Sequence, residues 1–182
     1  MSYEIIDSKP IYHGKVFDVR VDLVKLPGNR EVNMDIVSHA GAVTIVPVDQ
    51  EGNFLFIRQY RHAAGEEILE LPAGVIDNGE PQDASALREL REETGMTAKK
   101  ITLLGEFYLA PGYSTEYMYV YLAHGLSPAP LPQDEDEQII VEKIPVVEAY
   151  RMAYHGEIRD GKTLAALLLA HSTLNTDLER YE

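Results

Sequence analysis

The sequence predicts an α/β protein preceded by a small antiparallel β piece. Three observations lead there. Two stretches near the N-terminus alternate apolar and polar residues around a Pro-Gly-Asn turn. Residues 41–48, GAVTIVPV, form a near-continuous apolar run, as in a strand covered on both faces. Helical spacing then follows Pro81, Pro145 and Gly161.

In chain order, residues 3–7 read as a short strand. Residues 16–26 alternate, with Val19, Val21 and Leu23 on one side and Arg20, Asp22 and Val24 on the other. Pro27-Gly28-Asn29 turns the chain, and Val32, Met34 and Ile36 alternate again, giving a hairpin. So few strands cannot bury both faces, so this piece is expected to pack on its own domain or a second subunit. Residues 41–48 and 54–60 are strands joined by the turn at 49–53, the second ending in Arg58-Gln59-Tyr60-Arg61. A helix follows Pro81, with Ala84, Leu87 and Leu90 expected to face the core and Gly95 to end it. Residues 101–109, 116–122 and 139–144 read as strands. Residues 125–138, with three prolines and the run Asp134-Glu135-Asp136-Glu137, read as an irregular loop. Residues 145–155 and 162–174 read as helices, with Gly156 stopping the first.

The chain has 182 residues, enough for one domain with a good core, alone or with a small appendage. Its apolar fraction of 45% and charged fraction of 25% are those of an ordinary globular protein. Cysteine is absent, which excludes disulfides and thiolate metal sites and fits a reducing compartment. The first ten residues carry neither a basic region nor an apolar run, so no secretory signal is expected. The net charge of −14 argues against nucleic acid or an anionic membrane as a main partner. A small anionic substrate is still compatible with it, given local arginines and a cation.

Residues 74–96 carry the chemistry. Glu89, Glu92 and Glu93 stand at i, i+3 and i+4, so three carboxylates share one helix face. Such a cluster calls for a cation between the charges, and Mg²⁺ with oxygen ligands is the natural occupant. On acids and arginines alone, a solvated face paired with Arg88 and Arg91 is the simpler reading. Other motifs fail. Residues 156–163 match the P-loop pattern GxxxxGK[ST], but a helix rather than a strand precedes them, and Glu157 and Asp160 would face phosphate. The histidines are scattered singly, so zinc is not expected. The tyrosines at 108, 113, 117, 119 and 121 suit a half-buried strand, with base stacking by one of them the alternative.

The full spacing decides between the two readings of the acids. Gly74, five residues, Glu80, seven residues, Arg88-Glu89-Leu90, one residue, Glu92-Glu93, one residue, Gly95-Met96 resembles the Nudix hydrolase signature at every fixed position. Pro111, fifteen residues after Met96 within a PG-x-[ST]-x-E stretch, resembles the ADP-ribose pyrophosphatase branch. So do Arg58 to Arg61, the Leu69-Glu70-Leu71-Pro72-Ala73-Gly74 stretch, the acidic loop and the region from Gly156 to Leu169.

The resemblance implies a Nudix-like α/β/α sandwich around a mixed sheet over residues 40–182. It also implies a small antiparallel β domain over 1–39 that joins, and is exchanged across, a homodimer. It implies Mg²⁺, with Mn²⁺ as a substitute, held by Glu89, Glu92, Glu93, the Ala73 carbonyl and Glu137. By the same resemblance Glu135 is the first candidate base and Glu93 the runner-up. Arg61 holds the phosphates, Gly112 and Glu116 lie by the terminal ribose or phosphate, and Phe17 stacks on adenine or belongs to a core. Gly74 lets the backbone turn, Arg88 orients a carboxylate, and Glu80 is structural or gives the same kind of support. The implied reaction cleaves the pyrophosphate of ADP-ribose, or of a related nucleoside diphosphate sugar, to AMP and ribose 5-phosphate in the cytoplasm. GDP-mannose as substrate and a non-catalytic ADP-ribose sensor are the alternatives. Sensors often lose signature carboxylates, and all of them stand here.

Overall fold

A computed structural model describes residues 2–133 and 138–174. Three N-terminal strands, β1 (Glu4–His13), β2 (Phe17–Lys25) and β3 (Glu31–His39), are followed by β4 (Ala42–Val48), β5 (Asn53–Arg61), β6 (Glu66–Glu70) and β7 (Ala73–Val75). Then come α1 (Gln82–Thr94), β8 (Met96–Tyr108), β9 (Tyr117–Pro128), β10 (Ile139–Pro145), α2 (Val146–Tyr154) and α3 (Gly161–Leu174). The chain divides into two compact units: Met1–Gly41 with Phe107–Tyr117, and Ala42–Glu106 with Met118–Glu182. The first unit thus takes in the 107–117 connection. Among the described residues no helix is long and apolar enough to cross a membrane.

The first unit is an antiparallel sheet in the order β1-β2-β3. The predicted hairpin is β2–β3, with Lys25 opposite Glu31 and Phe17 opposite His39. Asn29 takes a left-handed φ of 67° in its turn, a conformation asparagine tolerates better than most residues. The strand expected at 3–7 runs much further, to His13, with irregularities between Ile5 and Asp7 and between Pro10 and Tyr12. Of the two sides of β2, the one holding Asp22 and Val24 is the more buried. Asp22 is satisfied there by the Ser8 hydroxyl at 2.6 Å and by Arg20 Nε at 3.1 Å. Beside the end of β3, Val37 N–H donates to the Tyr113 carbonyl at 2.8 Å and Thr115 N–H to the Val37 carbonyl at 3.0 Å. These bonds anchor the turn that carries Gly112.

The second unit is a mixed sheet in the order β10-β5-β4-β9-β8, with β6 added on β5 and β7 on β4. The β4–β9 pair is parallel and the β5–β10 pair antiparallel. Successive residues of β5 face opposite layers. Leu55 joins Val43, Ile45, Ala86 and Leu90 in a cluster beneath α1. The Phe54 ring packs edge-on against Tyr150 of α2, centroids 6.0 Å apart. Tyr150 in turn donates its hydroxyl to the Leu167 carbonyl, locking α2 to α3. The result is a helix layer on each face of the sheet, as expected.

Several details differ from expectation. The strand at β9 continues to Pro128, so the irregular segment begins at Ala129 rather than Gly125. β7 pairs with β4 where only a connection was expected. Pro81 stands just before α1 in an extended conformation, while Gly95 ends the helix with a left-handed φ of 71°, as predicted.

Candidate active site

α1 buries Leu90, as expected, but the rest of its shielded face differs. Ala84 is exposed, contrary to expectation. The buried residues are Ser85, Ala86, Glu89, Leu90 and Glu93. Two apolar residues at i, i+4 anchor the helix. Beside them Ser85, Glu89 and Glu93 form a polar stripe that is equally shielded. Glu89 is 8% exposed and Glu93 2%. Carboxylates so placed need partners, because burying an unpaired charge is costly.

Arg88 supplies one set of partners. Its Nη1 reaches Glu89 Oε1 at 2.6 Å and Glu92 Oε2 at 2.9 Å. Nε and Nη2 grip both oxygens of Glu80 at 3.1 and 3.0 Å, and Nη2 also donates to the Val75 carbonyl at 3.0 Å. One guanidinium therefore ties α1 to the loop before it and to β7, which a planar fork of five N–H groups can do. Hydrogen bonding from Arg88 holds the Glu80 carboxyl below its ordinary pKa. Arg88 thus touches both the helix carboxylates Glu89 and Glu92 and the loop acid Glu80.

Glu93 is engaged from the other side, where the Ala73 amide donates to its Oε2 at 2.8 Å. Gly74 was expected to serve a turn, but its φ is not left-handed. What it provides is room: a methyl group on its Cα would overlap the Glu89 carboxylate. β7 and α1 thus approach so closely that Ala73, Gly74, Glu89 and Glu93 form one neighbourhood.

This donor set fits a hard divalent cation. It offers oxygen only, two of its three helix carboxylates are shielded from water, and Gly74 leaves the carboxylate of Glu89 space. Among the described residues no three acidic or histidine side chains already converge as a cage, because Arg88 spans Glu89 and Glu92. A cation there would share those carboxylates with Arg88. Glu135 and Glu137 lie outside the described residues.

Arg61, expected at the phosphates, is engaged by an acid of β6. Its Nε and Nη2 bond both oxygens of Glu70, at 2.7 and 2.8 Å. Glu70 is buried and also meets Lys162 Nζ. Burial pushes the Glu70 carboxyl up, but Arg61 and Lys162 outweigh it and hold it below its ordinary pKa. Arg58, the other arginine of the pair, is engaged by Glu142 on β10. In the first unit, Phe17 is 42% exposed and so is no core residue, its ring 6.3 Å from that of Tyr12. Gly112 is exposed with open space around it, and Glu116 is half-buried.

Sequence reasoning missed Glu70, Lys162 and Thr163 as parts of this neighbourhood. A single acid inside the apolar Ile68-Leu69-Glu70-Leu71 stretch was the available signal for the first. For the other two, the failed P-loop pattern marked the right place with the wrong chemistry.

The chain is 39% identical to an ADP-ribose pyrophosphatase of Mycobacterium tuberculosis, over 93% of this chain and 84% of that one. It is 33% identical to a GDP-mannose pyrophosphatase of Citrobacter koseri, over 78% and 82% respectively. A solved structure described as an ADP compounds hydrolase shares the fold, with a TM-score of 0.87 over 96% of this chain and 95% of that one at 24% identity. The NUDIX domain profile matches residues 38–167, which include all of β4 to α2, and with it the chain belongs to the NUDIX domain family.

Proposed function

We propose that this protein is a Nudix hydrolase that cleaves the pyrophosphate of ADP-ribose, or a closely related nucleoside diphosphate sugar, to AMP and ribose 5-phosphate. The observation that carries the reading is the shielded stripe of Glu89 and Glu93 packed against Ala73 and Gly74. The name of the Mycobacterium relative supports the substrate.

Mg²⁺, with Mn²⁺ as a substitute, is the cation of this reading. Glu89, Glu92, Glu93 and the Ala73 carbonyl would hold it, with Glu137 as a further ligand. When bound, it supplies positive charge for the pyrophosphate and makes a water more acidic near neutral pH. The chain's own residues do the rest. Arg88 keeps Glu89 and Glu92 oriented, and Ala73 N–H keeps Glu93 oriented. Glu135 takes the proton of the attacking water, Glu93 being the alternative base. Arg61 holds the phosphates with the N–H groups that Glu70 leaves unused. Gly112 and Glu116 bind the terminal ribose or phosphate, and Phe17 stacks on the base. The protein works in the cytoplasm as a homodimer joined, and exchanged, through residues 1–39.

The name of the Citrobacter relative favours a second reading, GDP-mannose as substrate. An assay with Mg²⁺ on ADP-ribose, GDP-mannose, a dinucleoside polyphosphate and nucleoside triphosphates separates the two. Fastest release of AMP and ribose 5-phosphate is expected. Faster release of GMP and mannose 1-phosphate would move the assignment to the second reading.

A further inference from the structure

Residues 156–163 carry phosphate-loop spacing without phosphate-loop structure, since α2 precedes them and Gly156 closes it with a φ of 74°. Their last residues have a different task. Asp160 Oδ2 accepts the Thr163 N–H at 3.0 Å and the Thr163 hydroxyl at 2.6 Å, as a residue capping a helix does. The Thr163 oxygen then accepts the Leu71 N–H at 2.8 Å. Both residues are fully buried. Leu71 lies just beyond β6, so without Thr163 its amide would be a buried donor outside the strand ladder. Lys162 Nζ sits between Asp160 Oδ2, at 3.0 Å, and Glu70.

The start of α3 therefore grips residues 70 and 71 through side chain and backbone at once. The next residues are pinned in turn. The Pro72 carbonyl accepts from Ile45 N–H at 2.8 Å and from the Thr44 hydroxyl at 3.2 Å. Ala73 N–H meets Glu93, and Gly74 lies against Glu89. We propose that Thr163, assisted by Lys162, is a positioning residue for the cation site: it fixes residues 70–74 so that Ala73 and Gly74 stand at the correct distance from the carboxylates of α1. This rests on the reading of Ala73, Glu89, Glu92 and Glu93 as the cation's ligands.

The test compares Thr163→Val, which keeps the volume and loses both hydroxyl bonds, with Thr163→Ser, which keeps them. Mn²⁺ binding to the full-length protein is read from the free-ion signal in electron paramagnetic resonance, and kcat is measured across Mn²⁺ concentrations. Thr163→Val is expected to weaken Mn²⁺ binding roughly tenfold, as loss of a support behind a ligand does. Its kcat should climb back toward the wild-type value at high Mn²⁺ while its circular dichroism without metal stays that of the folded wild type, which a merely unstable protein would not show. Thr163→Ser should stay close to wild type. Should Thr163→Val fail to fold by circular dichroism, Lys162→Met against Lys162→Arg is read the same way, with arginine restoring the affinity. Wild-type affinity in a folded Thr163→Val or Lys162→Met overturns the proposal. A wild-type protein that takes up no Mn²⁺ instead overturns the cation-site reading on which it stands.

Discussion

The amide of Ala73 donates to Oε2 of Glu93 across 2.8 Å, joining the short strand β7 to a carboxylate that is only 2% exposed. Buried carboxylates are costly unless each oxygen has a partner, so this bond sets where Glu93 points. It also places the Ala73 backbone beside the carboxylates proposed to hold the cation.

Glu93→Gln keeps the shape and an acceptor for the Ala73 amide while removing the charge. Turnover is expected to fall by roughly 10²–10⁴-fold with the fold unchanged. Steady-state kinetics beside a thermal melt check this. A folded variant with wild-type turnover would remove Glu93 from the mechanism. Glu135→Gln, by contrast, should lower kcat more than it raises KM, and an effect on KM alone would place the base elsewhere.

Gly74→Ala tests the approach of β7 to α1. The added methyl overlaps a flexible carboxylate rather than backbone, so Glu89 can swing aside. Stability should fall by about 1–3 kcal/mol at most. Activity should fall far more, because Glu89 leaves its place. Urea titration and kcat measured together decide it, and an active, unperturbed variant would contradict the geometry.

Glu70 makes stability depend on pH. Its folded pKa is held below the ordinary value of 4.5 by Arg61 and Lys162, so the unfolded chain binds more protons on acidification. Its contribution is complete above that ordinary value and is lost as the pH falls through the lower folded one. Glu70→Gln should therefore cost about 3 kcal/mol at neutral pH, the low end for a broken buried pair because Arg61 is partly solvated. The difference from wild type should shrink in urea titrations at successively lower pH. A difference that stays constant down to strongly acidic pH would show that charge is not the cause.

The first unit exposes apolar side chains along β1 and the turn after it, with Ile5 62%, Ile11 55%, Tyr12 56% and Val16 57% exposed. That is much apolar surface for one small sheet. With the homodimer proposed above, sedimentation equilibrium should give twice the chain mass of 20.4 kDa, and Ile11→Asp should shift the protein toward the monomer. A monomeric wild type at micromolar concentration would contradict the assembly.

How far the sequence could be read depended on the range of each interaction. The end of α1 at Gly95 and the alternation of the β2–β3 hairpin are local, and both were legible. The side on which α1 is buried was not, because Ala86 and Leu90 share it with Ser85, Glu89 and Glu93. A pattern that puts apolar residues inside and charges outside selects Ala84 instead. The length of β1 was hidden for a related reason: its residues are all exposed, so no alternation marks it and only backbone pairing with β2 defines it. The engagement of Arg61 by Glu70 and Lys162 joins residues far apart in the chain, and only the folded sheet brings them together.

The shielded carboxylates of α1 are proposed to serve hydrolysis of a nucleoside diphosphate sugar. The most direct measurement incubates the protein with ADP-ribose and Mg²⁺, with and without a chelator, and quantifies products by chromatography. AMP and ribose 5-phosphate are expected in equal amounts, and neither once the metal is chelated. ADP-ribose that binds but stays intact with every divalent metal tried would contradict this reading and make the protein a binder rather than an enzyme.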